Sequence, residues 1–266
     1  SKLGIKKIGH CGTLDPLATG LLPVCVGEAT KYSNYASNLD KVYEVGIQFG
    51  VETDTGDITG QIVSETQFNG FKENFDQSIQ ELIGIHDQIP PMYSAIKLNG
   101  NPLYYWARKG VHLYREPRRI VIKEIELINK SKNTVVLKVA CSKGTYIRSL
   151  VEKLGRDLGS CATMISLRRV EVGDLVLDKE SCSLDETQDS LIRKFLPCDA
   201  MLGGMDKIEL NSEDTKKVRN GVSIDYNAQL KNKGLVRIYT EKELFIGIGE
   251  LNRSNKLLPK RLLSTN

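Results

Sequence analysis

The sequence predicts an α+β domain followed by a compact all-β module. Three patterns predict it: a period-two strand over residues 41–49, helical spacing over 71–83 and again from about residue 146, and short strand-like runs after Leu202-Gly203-Gly204.

Gly9, Gly12, Gly20 and Gly27 punctuate an otherwise apolar opening stretch, which reads as a series of turns. In 41–49, Tyr43, Val45, Ile47 and Phe49 alternate with Glu44 and Gln48, the pattern of a half-buried strand. The turn-rich Asp54-Thr55-Gly56-Asp57 leads to Gln61-Ile62-Val63, a hairpin partner or neighbouring strand. Phe71, Phe75, Ile79, Leu82 and Ile83 follow helical spacing, with Gly84 as the stop. Residues 88–119 change character: Pro90-Pro91 and Asn99-Gly100 break them, and Tyr93, Tyr104, Tyr105, Trp106 and Tyr114 sit among basic residues. Strands resume at 120–128 and 134–141. Ile147, Leu150, Val151, Leu154 and Leu158 then share a helical face that ends at Gly159. A boundary at 202–204 precedes strand-like runs at 235–239 and 244–248.

A chain of 266 residues suits one large domain, or a catalytic domain with an appendage, and buries enough surface to fold without a metal or disulfide staple. With 40% hydrophobic and 26% charged residues, it reads as neither disordered nor fibrous. The longest apolar run, 21–26, is short and contains Pro23, so no membrane helix is expected. Six scattered cysteines without a Cys-x-x-Cys pair, and only three histidines, lack zinc-site spacing; free thiols of a reducing cytoplasm are expected. The chain opens with neither a signal-peptide layout nor an initiator Met, as though inside a longer one. Its net charge of +4 is unevenly spread. Residues 108, 109, 115, 118, 119 and 123 are Lys or Arg against Glu116 alone, and a second cluster runs from Lys231 to Arg261. Such clusters fit a polyanion partner such as nucleic acid, although solvated surface charge accounts for them equally well.

The densest chemical signal is the run from Gly9 to Pro23. Asp15 precedes Pro16, which biases it toward an extended conformation, and flanking glycines allow close backbone approach. A carboxylate held there suits a nucleophile or general base, yet Asp-Pro also commonly just opens a turn. His10 and Cys11 are adjacent in sequence and so poorly placed as a base–nucleophile pair. Residues 52–57 fail the calcium-loop pattern, since Gly56 and Ile58 occupy ligand places. Tyr43 reads as a packed core residue or as a stacking face at a pocket edge. Ser142 to Arg148 lies at a strand-to-helix junction, where Thr145 is a candidate cap and Arg148 either an anion contact or a surface cation. Leu167-Arg168-Arg169 carries no signal alone.

Together these segments resemble the bacterial tRNA pseudouridine synthase family of the TruB type. The resemblance is carried by Gly9-His10-Cys11-Gly12-Thr13-Leu14-Asp15-Pro16, Gly27-Glu28-Ala29-Thr30-Lys31, Lys41-Val42-Tyr43 and Thr53-Asp54-Thr55-Gly56-Asp57. It continues through Pro90 to Lys97, Cys141 to Arg148 and Leu167-Arg168-Arg169, in family order. It implies a mixed, largely antiparallel sheet flanked by helices: a catalytic domain over 1–204 with an RNA-gripping insertion over about 88–119 that is mobile without RNA. A small PUA-like RNA-binding β-barrel is implied over 205–266. Members usually carry a further strand and a Lys-Pro turn ahead of the Asp motif. The implied reaction converts a T-loop uridine of tRNA (position 55) to pseudouridine, with Asp15 as the essential carboxylate and no metal or redox cofactor. Tyr43 would stack on the uracil, Arg148 pair with Asp15, Tyr146 and Leu167 line the pocket, and His10 fill the space left by the everted nucleotide. Lys97, Arg108, Lys109, Arg115, Arg118 and Arg119 would contact the RNA. The implied partner is the tRNA T-stem-loop, in the cytoplasm, with no membrane and no obligate protein partner. A guide-RNA-dependent relative and a non-catalytic tRNA-binding protein are the alternatives.

Overall fold

The alternation in 41–49 becomes strand β1 (Lys41–Phe49), with Val45, Ile47 and Phe49 turned into the core. The computed structural model describes residues 3–72, 74–98, 100–179, 181–183, 185–227 and 233–264; Asn99 and Lys231 lie outside them. By internal packing the chain forms two units, one made of 1–13, 22–37 and 178–266, the other of 14–21 and 38–177.

The second unit is built on β1, helix α1 (Phe75–Glu81), β2 (Gly84–Gln88), β3 (Arg118–Lys130), β4 (Thr134–Cys141), helix α2 (Ile147–Asp157) and β5 (Ala162–Val172). The strands pair antiparallel in the order β5-β1-β4-β3-β2, with the short strand Leu175–Val176 beyond β5. A two-residue strand, Thr19–Gly20, joins β5 in parallel and makes the sheet mixed. Strand β4 shows why one face is dry: Val135, Leu137, Val139 and Cys141 are buried while the residues between them are not. Helix α2 lays Ile147, Leu150, Val151 and Leu154 on that face, beside Phe75, Ile79 and Leu82.

Three expectations shift. Helix α1 starts only at Phe75, because Phe71 instead joins an aromatic cluster with Phe49, Phe68 and Phe75. Ile62–Glu65 pairs with Val51–Thr53 as a separate hairpin rather than with β1. Thr145 does not cap α2; its hydroxyl donates to the Ser142 carbonyl, and Tyr146 is the N-cap. Strand β5 was not foreseen, because Arg168 and Arg169 interrupt its apolar pattern.

Gly20 fixes where the Thr19–Gly20 strand meets β5. Its φ is +95°, and a Cβ there would lie 2.3 Å from the Arg169 carbonyl oxygen. Gly20→Ala is expected to cost about 2–4 kcal/mol in denaturant unfolding, since backbone strain adds to a collision with immobile backbone.

In the first unit, Ile8–His10 pairs with Val24–Val26, and the buried Cys11 and Cys25 sulfurs lie 3.3 Å apart. A five-stranded sheet follows: β6 (Asp206–Leu210), β7 (Ile224–Asp225), β8 (Gly234–Thr240), β9 (Phe245–Leu251) and β10 (Lys256–Leu262), in the order β6-β8-β9-β10-β7. Helix α3 (Ser212–Arg219) is capped by the Asn211 side chain, which accepts from the Asp214 amide. The described ladders join these strands in an open order, with β6 parallel to β8, rather than closing them into a barrel. Among the described residues no helix is long and apolar enough to cross a membrane.

Candidate active site

Asp15 opens the turn that its sequence foretells: the Ala18 amide donates to the Asp15 carbonyl at 2.8 Å, with Pro16 at the position whose φ proline presets. Leu17 and Ala18 pack on the core, and Thr19–Gly20 then locks onto β5. The carboxylate therefore sits on a loop tied down immediately after it.

Arg148 is the second residue of α2, where a cation opposes the helix dipole, and its side chain is only 5% exposed. Four hydrogen bonds compensate. Nε donates to Asp15 Oδ2 at 2.9 Å and Nη2 to Asp15 Oδ1 at 3.0 Å, a bidentate fork. Nη1 donates to the Thr55 carbonyl at 2.9 Å and Nη2 to the Tyr93 carbonyl at 2.8 Å. The start of α2 is pinned as well, because the Gln88 side chain accepts from the Tyr146 amide and donates to the Tyr146 carbonyl.

The Thr55 carbonyl is presented by a turn that holds itself together. The Thr53 hydroxyl donates to the Asp57 carbonyl at 2.7 Å, and Asp57 Oδ1 accepts from the Thr59 amide at 2.9 Å. Gly56, at φ +75°, lets this turn lie flat on α2; a Cβ would come within 2.6 Å of Glu152 Oε1.

Two phenols share the field of Asp15. Burial pushes the Tyr43 hydroxyl above its ordinary pKa and the Asp15 charge adds to this, while Arg169 opposes it. Burial raises Tyr146 likewise, with Ser94, Arg118 and Arg148 opposing and Asp15 adding. Ser94 is buried beside Tyr146. Leu167 is buried on β5 directly opposite Val45, two pairs along from Tyr43 and Arg169.

Asp15, Tyr43, Tyr146, Arg148 and Leu167 are thus gathered in the second unit. His10 is an exposed residue of the first unit. Lys97, Arg108, Lys109, Arg118 and Arg119 are exposed and Arg115 half-buried. The stretch that carries most of them is less irregular than its composition implies: Lys97–Leu98 pairs with Asn101–Pro102, and Leu103–Ala107 is a helical turn. Arg108 lies over the Tyr104 ring and Lys109 over Tyr105, both rings exposed.

A cavity of about 330 Å³ lies at the far end of β1, against Phe49, Val51, Phe68 and Lys132, away from Asp15. Among the described residues no three His, Cys, Asp or Glu side chains converge as a metal site would. Sequence reasoning missed the Thr55 and Tyr93 carbonyls, since backbone acceptors leave no residue-type signal. It also passed over Arg169, whose only signal was its place beside Leu167.

The model of the TruB family pseudouridylate synthase N-terminal domain matches residues 1–147, and that of the pseudouridine synthase II TruB C-terminal region matches 207–263. The tRNA pseudouridine synthase B of Dechloromonas aromatica (strain RCB) is 43% identical over 97% of this chain and 86% of its own length. That of Clostridium perfringens (strain SM101 / Type A) is 38% identical over 97% and 90%. A chain in the crystal structure of a Cbf5-Nop10-Gar1 complex superposes with a TM-score of 0.75 at 22% identity, over 99% of this chain and 77% of that one. That likeness shows a shared fold, the pseudouridine synthase fold.

Proposed function

The chain belongs to the TruB family of pseudouridylate synthases, and from that membership we infer that Asp15 is the carboxylate through which it isomerises a T-loop uridine of tRNA. Its activity is the conversion of uridine to pseudouridine in tRNA. The observation that carries the assignment to Asp15 is the Arg148 fork: a carboxylate 31% exposed on one side and gripped at both oxygens on the other.

The reaction breaks the N1–C1′ bond, turns the uracil over, joins C5 to C1′ and releases the C5 proton. Arg148 fixes the orientation of the Asp15 carboxylate, so that no reorganisation is needed when charge develops on the sugar or base. The Tyr43 and Tyr146 rings and the Leu167 side chain offer the apolar and stacking surface that an everted uracil needs. Base eversion costs a few kcal/mol, and stacking on aromatic rings returns about 1–3 kcal/mol per base. His10 would occupy the vacated place in the loop.

Lys97, Arg108, Lys109, Arg115, Arg118 and Arg119 supply phosphate contacts, and residues 205–266 form a second, PUA-like RNA-holding module. Replacing Arg108, Lys109 and Arg119 together by Gln is expected to weaken tRNA binding about 10-fold and to flatten the salt dependence by about 0.7–0.9 per lost phosphate contact. Filter binding across a salt series checks both. Deuterium uptake in 97–117 is expected to fall when tRNA binds; unchanged uptake would remove this stretch from the interface.

The deciding experiment is tritium release from T-loop RNA labelled at uracil C5, on bare tRNA without guide RNA. Release with unchanged RNA mass is expected. Free uracil or cleaved RNA would instead indicate a hydrolase.

A further inference from the structure

Arg169 is buried to 1% exposure and is the largest fully buried side chain described, yet nothing in the Asp15–Arg148 fork uses it. Strand register places it directly across from Tyr43 on β1, so both side chains emerge on the same face of the sheet. Its guanidinium lies close enough to the Tyr43 hydroxyl for its charge to oppose the effect of burial on that phenol. Its Nε donates to the Leu21 carbonyl at 2.7 Å, and its own carbonyl accepts from the Leu21 amide at 2.8 Å. The same residue therefore grips the end of the Asp15 loop and faces the phenol beside that loop. A bulge between Arg169 and Glu171 follows directly, where the register with β1 shifts.

We propose that Arg169 is a positioning residue for the reaction: it holds the Tyr43 phenol in register with the Asp15 loop, with the Leu21 carbonyl orienting the guanidinium. The proposal rests on the functional reading above. Burying a guanidinium is costly, and a Met of similar length would fill the space without that cost. The cation is thus hard to explain by packing alone. Its charge also acts against the upward push that burial gives the Tyr43 hydroxyl.

The test is a double-mutant cycle of Arg169→Met with Tyr43→Phe, read as single-turnover pseudouridine formation, RNA affinity and thermal unfolding. Arg169→Met is expected to lower the single-turnover rate about 100-fold, with RNA Kd changed less than about 3-fold. In the Tyr43→Phe background, where the hydroxyl is gone, the same change should cost less than about 3-fold more. Losses that multiply, or a folded Arg169→Met with a near-parental rate, would overturn the proposal. Should Arg169→Met not fold, Arg169→Lys takes its place in the cycle. Lys keeps the charge but spans the two partners poorly, so an intermediate rate loss that vanishes without the Tyr43 hydroxyl is expected, and an equal loss in both backgrounds refutes the idea. A parent chain that forms no pseudouridine would instead strike the functional reading.

Discussion

Asp15→Asn is expected to stop pseudouridine formation, by at least about 10⁴-fold, while the protein stays folded and keeps its RNA affinity within a few-fold. Asn preserves the shape of the side chain and one carbonyl acceptor. It replaces the second acceptor by an amide that faces an Arg148 N–H, so one charge-assisted bond of the fork is lost. Because the carboxylate is partly exposed, the amide has room to turn outward, and the stability cost should stay near 1–2 kcal/mol. Tritium release, RNA binding and thermal melting separate the three effects. An Asn variant within about 10-fold of the parent rate would show that the carboxylate is not essential, and the proposed site would fall.

Arg148→Met should be damaging to both fold and reaction. It leaves the Thr55 and Tyr93 carbonyls and both Asp15 oxygens without their donor, three groups drawn from three different segments. Breaking such a centre from the buried side is expected to cost about 3–5 kcal/mol in denaturant unfolding, discounted toward the lower end because Asp15 keeps some solvent. Arg148→Lys distinguishes charge from geometry. An ammonium keeps the positive charge but cannot reproduce the planar fork, so activity should fall about 10²–10³-fold with a smaller stability loss. Near-parental activity in the Lys variant would mean that Arg148 acts as a point charge and that carboxylate orientation is unimportant.

Much of the framework was legible in the residues because its signals are local. Strands β1 and β4 follow from alternation, and the face of α2 from its 3.6-residue spacing. The Asp15 turn follows from Asp-Pro, since proline presets one dihedral wherever it occurs. The errors share one cause, which is that distant packing outweighed local preference. Phe71 left its helical pattern for an aromatic cluster. Thr145 gave up the cap for a carbonyl one turn back. Strand β5 hid its apolar pattern behind two arginines, one of which is buried by partners that no window of sequence contains.

The same division applies to the candidate site. Sequence alone determined which residue types stand in family order, and thereby the family and the reaction, and it singled out the carboxylate at position 15 as the candidate. It could not show that Arg148 is satisfied by two backbone carbonyls as well as by Asp15, nor that Arg169 lies across from Tyr43 and bonds the loop end at Leu21. Those facts join segments as many as 148 positions apart, and they exist only once the sheet has set its register. Local propensity is written in neighbouring side chains; desolvation and hydrogen-bond satisfaction of a buried cation depend on whatever the fold brings near it.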